Sequence, residues 1–143
     1  MDRLMNKTLL LLALCAVLSA HSRLVLENNA ELRTAVRSII NDRAAAGKFG
    51  DVNEWDTSRV TSMDWIFAAA ATFDQYVDDW DTSRVASMDK MFDGAAAFHQ
   101  YVGGWDTSKV TSMDWIFERA AAFNRDISGW DTSKVDKNGL YFL

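Results

Sequence analysis

The sequence predicts an α/β solenoid of 25-residue units, covered at its N-terminal end by one helix. Two observations predict the repeat. Trp55, Trp80, Trp105 and Trp130 recur every 25 residues, each opening the phrase Trp-Asp-Thr-Ser-Arg/Lys-Val. The same period carries Val60/Val85/Val110/Val135, Ser62/Ser87/Ser112, Met63/Met88/Met113, Phe67/Phe92/Phe117 and Phe73/Phe98/Phe123. A fixed period of this size marks a stacked array, in which each unit buries its apolar face only against its neighbours. A third observation, an amphipathic segment just before the first unit, predicts the cover.

Taken in chain order, residues 1–20 read as an export signal. Arg3 and Lys7 give a basic start, and Leu9 to Leu18 form an apolar run of ten residues. That run is too short to span a bilayer. Ser19 and Ala20 supply small residues for cleavage before His21. The expectation is a secreted or cell-surface protein with no transmembrane span in the mature chain; an uncleaved anchoring helix is the alternative. Cys15, the only cysteine, lies inside the apolar run, so an exported chain would fold without disulfides.

Residues 21–50 are expected to form the capping element, with a helix over Glu27 to Ala46. Leu32, Ala35, Val36, Ile39 and Ile40 follow the spacing of one buried stripe. Asn28 or Asn29 caps its start, Glu31 suits its first turn, and Gly47 is a natural stop. An array needs such a cover for its first unit.

Residues 51–143 hold three full units and the start of a fourth. In each, Trp-Asp-Thr-Ser-x-Val through the Met predicts a turn and a short strand. Ile66, Phe67, Ala70 and Phe73, with alanines between, predict a short helix. A linker such as Asp78-Asp79 or Gly103-Gly104 returns the chain to the next Trp. The ending Leu140 to Leu143 is apolar and suits either a small cap or a fragment of a longer array.

Charge narrows the partners. The chain carries −5 overall, divided as +3 over residues 1–50 and −8 over residues 51–143. An acidic array is a poor match for a phosphate backbone, so nucleic acid is set aside. No unique serine lies beside a base, and no Cys/His metal spacing or Gly-rich phosphate loop occurs. No catalytic residue, metal ligand or cofactor is therefore expected, and the protein reads as a non-enzyme. His99 shares its position with Asp74 and Asn124, which suits a solvated loop residue.

Four columns deserve a role. Asp56, Asp81, Asp106 and Asp131 suit Asx turns, with Arg59, Arg84, Lys109 and Lys134 offsetting their charge. A stacked cation site is the other reading. Thr57, Thr82, Thr107 and Thr132 suit hydroxyls that satisfy turn backbone rather than an ice- or glycan-binding row. Trp65 and Trp115 share a position with Lys90, and Tyr76 and Tyr101 share one with Asp126. A position that takes both an aromatic and a charge is at least partly exposed. Trp65, Trp115, Tyr76 and Tyr101 are thus the candidate binding residues.

The repeated Trp-Asp-Thr-Ser-x-Val-Thr-Ser-Met, with Met91-Phe92 and the linker Phe123-Asn-Arg-Asp126-Ile-Ser-Gly-Trp130, resembles the short repeat of BspA-like leucine-rich-repeat surface proteins. Glu31-Leu-Arg-Thr-Ala-Val36 and Phe49-Gly-Asp-Val52 resemble that family's lead-in, so the resemblance covers roughly residues 27–135. The linkers Tyr76-Val-Asp-Asp79 and Tyr101-Val-Gly-Gly104 depart from the pattern, as do Ile66-Phe67 and Ile116-Phe117. The resemblance implies a leucine-rich-repeat-like fold and a surface role of unknown detail. The functional expectation is a surface or extracellular interaction module for a protein or glycan ligand; a purely structural spacer or a fragment of a longer repeat array is the alternative.

Overall fold

A computed structural model describes residues 23–42 and 49–136. The expected export signal, Gly47 and the apolar ending therefore lie outside the described residues.

Helix α1 spans Asn29–Asn41. Asn28 caps it: its side chain accepts from the Glu31 amide at 3.1 Å, while Glu31 Oε2 accepts from the Glu27 amide at 3.0 Å. Glu31 thus ties the turn to the residue before the cap, a variant of the capping box, and Glu31 Oε1 also accepts from Asn28 Nδ2 at 3.3 Å. Leu32, Ala35, Val36 and Ile39 form its buried stripe. The helix is shorter than the sequence predicts, because Asp42 is already extended (φ −136°, ψ 103°). Before α1, Val25 forms a parallel bridge with Asp56, and the amide of Leu26 donates to the Asp56 carbonyl at 3.0 Å. A 3₁₀ turn, Val52–Glu54, then leads into the first Trp.

The expected α/β leucine-rich-repeat-like solenoid is not what forms. From the first Trp onward the described residues form no α-helix and no β-sheet. The predicted strand shrinks to single parallel bridges, Ser62 to Ser87 and Ser87 to Ser112. The predicted second-half helix is a run of turns. The reason is a regular alternation of the backbone. The amides of Met63, Trp65, Phe67 and Ala69 donate to Ser87, Asp89, Met91 and Asp93 of the next unit, at 2.7–3.0 Å. Between them, the amides of Ile66, Ala68 and Ala70 donate three residues back within their own unit, at 3.0–3.4 Å. Trp65 (φ 63°) and Ala69 (φ 61°) sit in the left-handed region, as do their counterparts Lys90, Gly94, Trp115 and Arg119. Left-handed residues at every fourth position interrupt both a helix and a strand.

The units nevertheless stack in register at the 25-residue period, each supplying one layer. Trp55, Trp80, Trp105 and Trp130 are buried. Trp55 and Trp80 stack at 6.2 Å, and Trp105 and Trp130 at 6.4 Å. Phe67, Phe92 and Phe117 form a second column at 5.2 and 5.5 Å, and Phe73, Phe98 and Phe123 a third at 6.1 and 6.0 Å. Each indole also reaches back one layer: Nε1 of Trp80, Trp105 and Trp130 donates to the carbonyls of Val52, Val77 and Val102 at 2.8–3.0 Å. A buried indole N–H without a partner would be costly, so the ring and its acceptor are fixed together.

Candidate binding surface

The repeated polar residues divide into those spent on holding the stack and those left for solvent. Asp56, Asp81, Asp106 and Asp131 each accept the backbone amide two residues on, that of Ser58, Ser83, Ser108 and Ser133, at 2.9–3.0 Å. They are Asx turns. The serine hydroxyl, and then the serine amide, hold the carboxyls of Asp56, Asp106 and Asp131 below the usual range, with nearby Arg or Lys adding to this and desolvation opposing it. Thr57, Thr82 and Thr107 are buried, and their hydroxyls donate to the carbonyls of Asp81, Asp106 and Asp131 in the next layer at 3.1–3.2 Å. These threonines are internal struts and present no ligand face.

Sequence reasoning missed a third polar ladder. Asp64 Oδ1 accepts from the Ser87 hydroxyl at 2.5 Å and from the Asp89 amide at 2.9 Å. Asp89 repeats this with the Ser112 hydroxyl and with the Asp114 amide, the latter at 2.8 Å. The signal was present as a second carboxylate that never varies, two residues after the recurring serine. Among the described residues, no group of three or more His, Cys, Asp or Glu is placed to hold a metal ion.

The candidate aromatics fall into two groups. Trp65 is 42% exposed and Trp115 half-buried, both in left-handed backbone. The amide of Trp65 donates to the Asp89 carbonyl and that of Lys90 to the Asp114 carbonyl, so the three share one row across adjacent layers. The Lys90 ammonium lies 4.7 Å from the Trp65 ring centroid. This row is thus partly satisfied internally, by a cation over an aromatic face.

Tyr76 and Tyr101 are the more open pair, 66% and 53% exposed. Neither ring stacks on another among the described residues. The Tyr101 ring lies against the Gly103–Gly104 turn: a Cβ at Gly103 would come within 2.7 Å of Tyr101 Cε2 and 2.5 Å of the Asp126 carbonyl. Only glycine leaves room for both. One side of the ring is thereby fixed, and the other meets solvent. The position that takes tyrosine here takes an acid in the third unit, where Asp126 accepts from the Ser128 amide at 2.8 Å. That amide, and next the Ser128 hydroxyl, lower the Asp126 carboxyl.

In the same linkers as the tyrosines, a polar cluster crosses three layers. Asp74 Oδ2 lies 3.0 Å from His99 Nδ1, and its Oδ1 accepts from the His99 amide at 3.1 Å and from Gln100 Nε2 at 2.8 Å. Arg125 Nε in turn donates to the His99 carbonyl. His99 is exposed, as its variable position implied, but a carboxylate orients it.

In comparisons with known proteins, a family profile described as "Mycoplasma protein of unknown function, DUF285" matches residues 34–142. Neither the curated proteins nor the solved structures gave a match. Among the described residues, no helix is long and apolar enough to cross a membrane.

Proposed function

The chain belongs to the family described as Mycoplasma protein of unknown function, DUF285, and from that premise we propose that it is a non-enzymatic interaction module at a cell surface or outside the cell. Its ligand is a protein or a glycan. The observation that carries this reading is the exposed pair Tyr76 and Tyr101, with Tyr101 laid on a glycine turn. Large exposed aromatics on a rigid support are the usual anchors of recognition surfaces, because little side-chain entropy is lost on contact. Trp65 and Trp115 are a secondary part of the same reading.

Kinship with BspA-like surface proteins belongs to this proposal and rests on the four Trp-Asp-Thr-Ser copies. That kinship does not extend to a leucine-rich-repeat fold, because the described units form isolated bridges and no sheet. Export rests on the basic start and apolar run of residues 1–20. The spacer reading is favoured by one observation, the Lys90 ammonium over Trp65, which gives that aromatic an internal use.

A glycan and extracellular-matrix binding screen of residues 21–143 tests the proposal, with Tyr76→Ser/Tyr101→Ser and Trp65→Lys/Trp115→Lys variants beside the wild type. Binding that the tyrosine variant loses supports an interaction module. A folded wild type that retains nothing favours the spacer.

A further inference from the structure

We infer that the ligand is a neutral saccharide, held by Tyr101 and Tyr76 together with Asp74, His99, Gln100 and Arg125 of the same linkers. The inference rests on the interaction-module reading above and names the chemistry of its ligand. Four observations point the same way.

The first is the platform. A pyranose ring presents a flat face of C–H bonds, and it needs a flat, fixed, apolar partner. Tyr101 is one, with one side against the Gly103–Gly104 turn and the ring 53% exposed. The second is the polar surround. Sugar hydroxyls both donate and accept, so they are recognised by carboxylate, amide, imidazole and guanidinium groups placed together. Asp74, Gln100, His99 and Arg125 supply one of each, already tied to one another. Asp74 engages His99 through Nδ1, and Arg125 binds the His99 carbonyl through Nε. The imidazole Nε2 and the terminal Arg125 nitrogens have no partner among the described residues.

The third observation is charge. Asp74, Asp78 and Asp79 flank Tyr76, within a segment of net charge −8. With Asp126, these carboxylates outnumber Arg125, the one fixed cation of the group, which disfavours sulfated, sialylated and uronic sugars against neutral ones. The fourth is register. Tyr76 and Tyr101 occupy the same position in adjacent layers, whose equivalent buried rings lie 5.2 Å (Phe67 and Phe92) and 6.1 Å (Phe73 and Phe98) apart. A pyranose ring is about as long as one such layer is thick, so a ligand of two or more linked sugars meets both tyrosines.

The test is binding of the exported chain, residues 21–143, to an array of neutral hexose and N-acetylhexosamine oligosaccharides, with sulfated and sialylated oligosaccharides and matrix proteins printed beside them. Titration of the best neutral tetrasaccharide follows, with wild type, Tyr101→Ala, Tyr101→Phe and His99→Ala. Thermal unfolding of each variant shows whether the stack is intact. The expected result is neutral-sugar binding that falls at least about tenfold in Tyr101→Ala, falls less in His99→Ala and survives in Tyr101→Phe. Neutral-sugar binding that Tyr101→Ala leaves unchanged overturns the assignment. So does a preference for anionic sugars. If only matrix proteins bind, and bind through the tyrosines, the saccharide inference fails and the interaction module stands. If nothing binds the folded wild type, both fail.

Discussion

Asp64 and Ser87, in consecutive layers, are joined carboxylate to hydroxyl at 2.5 Å, and the same carboxylate accepts from the Ser62 hydroxyl at 2.8 Å. Ser62 in turn accepts from Asn29 Nδ2 of α1 at 3.2 Å. A single polar chain thus runs from α1 into the second layer. Asp56, by contrast, serves its own turn. Asp64→Ala removes the acceptor of Ser62, Ser87 and the Asp89 amide together, and is expected to cost about 2–3 kcal/mol. Asp56→Ala is expected to cost about 1 kcal/mol. Urea unfolding of the two variants checks the order; equal losses would show that the ladder carries no more than a local turn.

The indole column combines stacking with a hydrogen bond, and two substitutions at Trp80 separate them. Trp80→Ala removes both and is expected to cost about 3–5 kcal/mol. Trp80→Phe keeps an aromatic ring but removes one of the two donors to the Val52 carbonyl, which still accepts from the Trp55 amide at 3.3 Å, at a cost of about 1–2 kcal/mol including the lost ring volume. Calorimetric unfolding measures both.

Trp65 and Trp115 carry bulky side chains where glycine is favoured, at φ 63° and 58°. Trp65→Gly relieves the left-handed strain and gives up the Lys90 contact, two effects of about 1 kcal/mol each and of opposite sign. Stability within about 1 kcal/mol of wild type is expected. Trp65→Val, β-branched in the same conformation, is expected to lower the unfolding midpoint. The reverse order would mean that the ring itself is a packing element.

Acid should loosen the Asx turns. The carboxyls of Asp56, Asp106, Asp126 and Asp131 are held below their ordinary values in the folded chain by serine hydroxyls and amides. Folding therefore gains stability from them at pH values above the ordinary aspartate pKa of about 3.9. That gain drains away as pH falls through the lowered folded values. Thermal midpoints recorded from about pH 6 to pH 3 should drop over the acid end. The drop should be shallower in a Ser58→Ala/Ser108→Ala/Ser133→Ala variant. An unchanged slope would move the cause to other carboxylates.

The repeat, its buried Trp, Val, Met and Phe columns, the Asx turns and the core face of α1 were all legible in the chain, because each depends on a local pattern copied at a fixed period. The secondary structure inside the layers was not. Ile66, Phe67, Ala70 and Phe73 carry the spacing of an amphipathic helix, yet the same spacing arises when successive three-residue turns alternate with bonds to the next layer. The deciding feature is the left-handed backbone at Trp65 and Ala69, and neither residue type announces it. Gly94, at the position of Ala69, was the one compositional hint. At the surface, exposure of the tyrosine position could be inferred from the acid that replaces it at Asp126. The clamp of Asp74 on His99 depends on a contact between layers, and the seating of Tyr101 on Gly103, two residues on, depends on the shape of their shared turn; neither had a linear signature.

The alternating amides of Met63, Trp65, Phe67 and Ala69 reach only to the adjoining layer, and the same bonds recur one period later from Met88, Lys90, Phe92 and Gly94. A layer added or deleted in the interior leaves every surviving interface intact, so heritable change in length comes in whole layers. The stack can thus gain or lose a layer without a new kind of interface, and its reach is set by the number of layers rather than by the chemistry of any one of them.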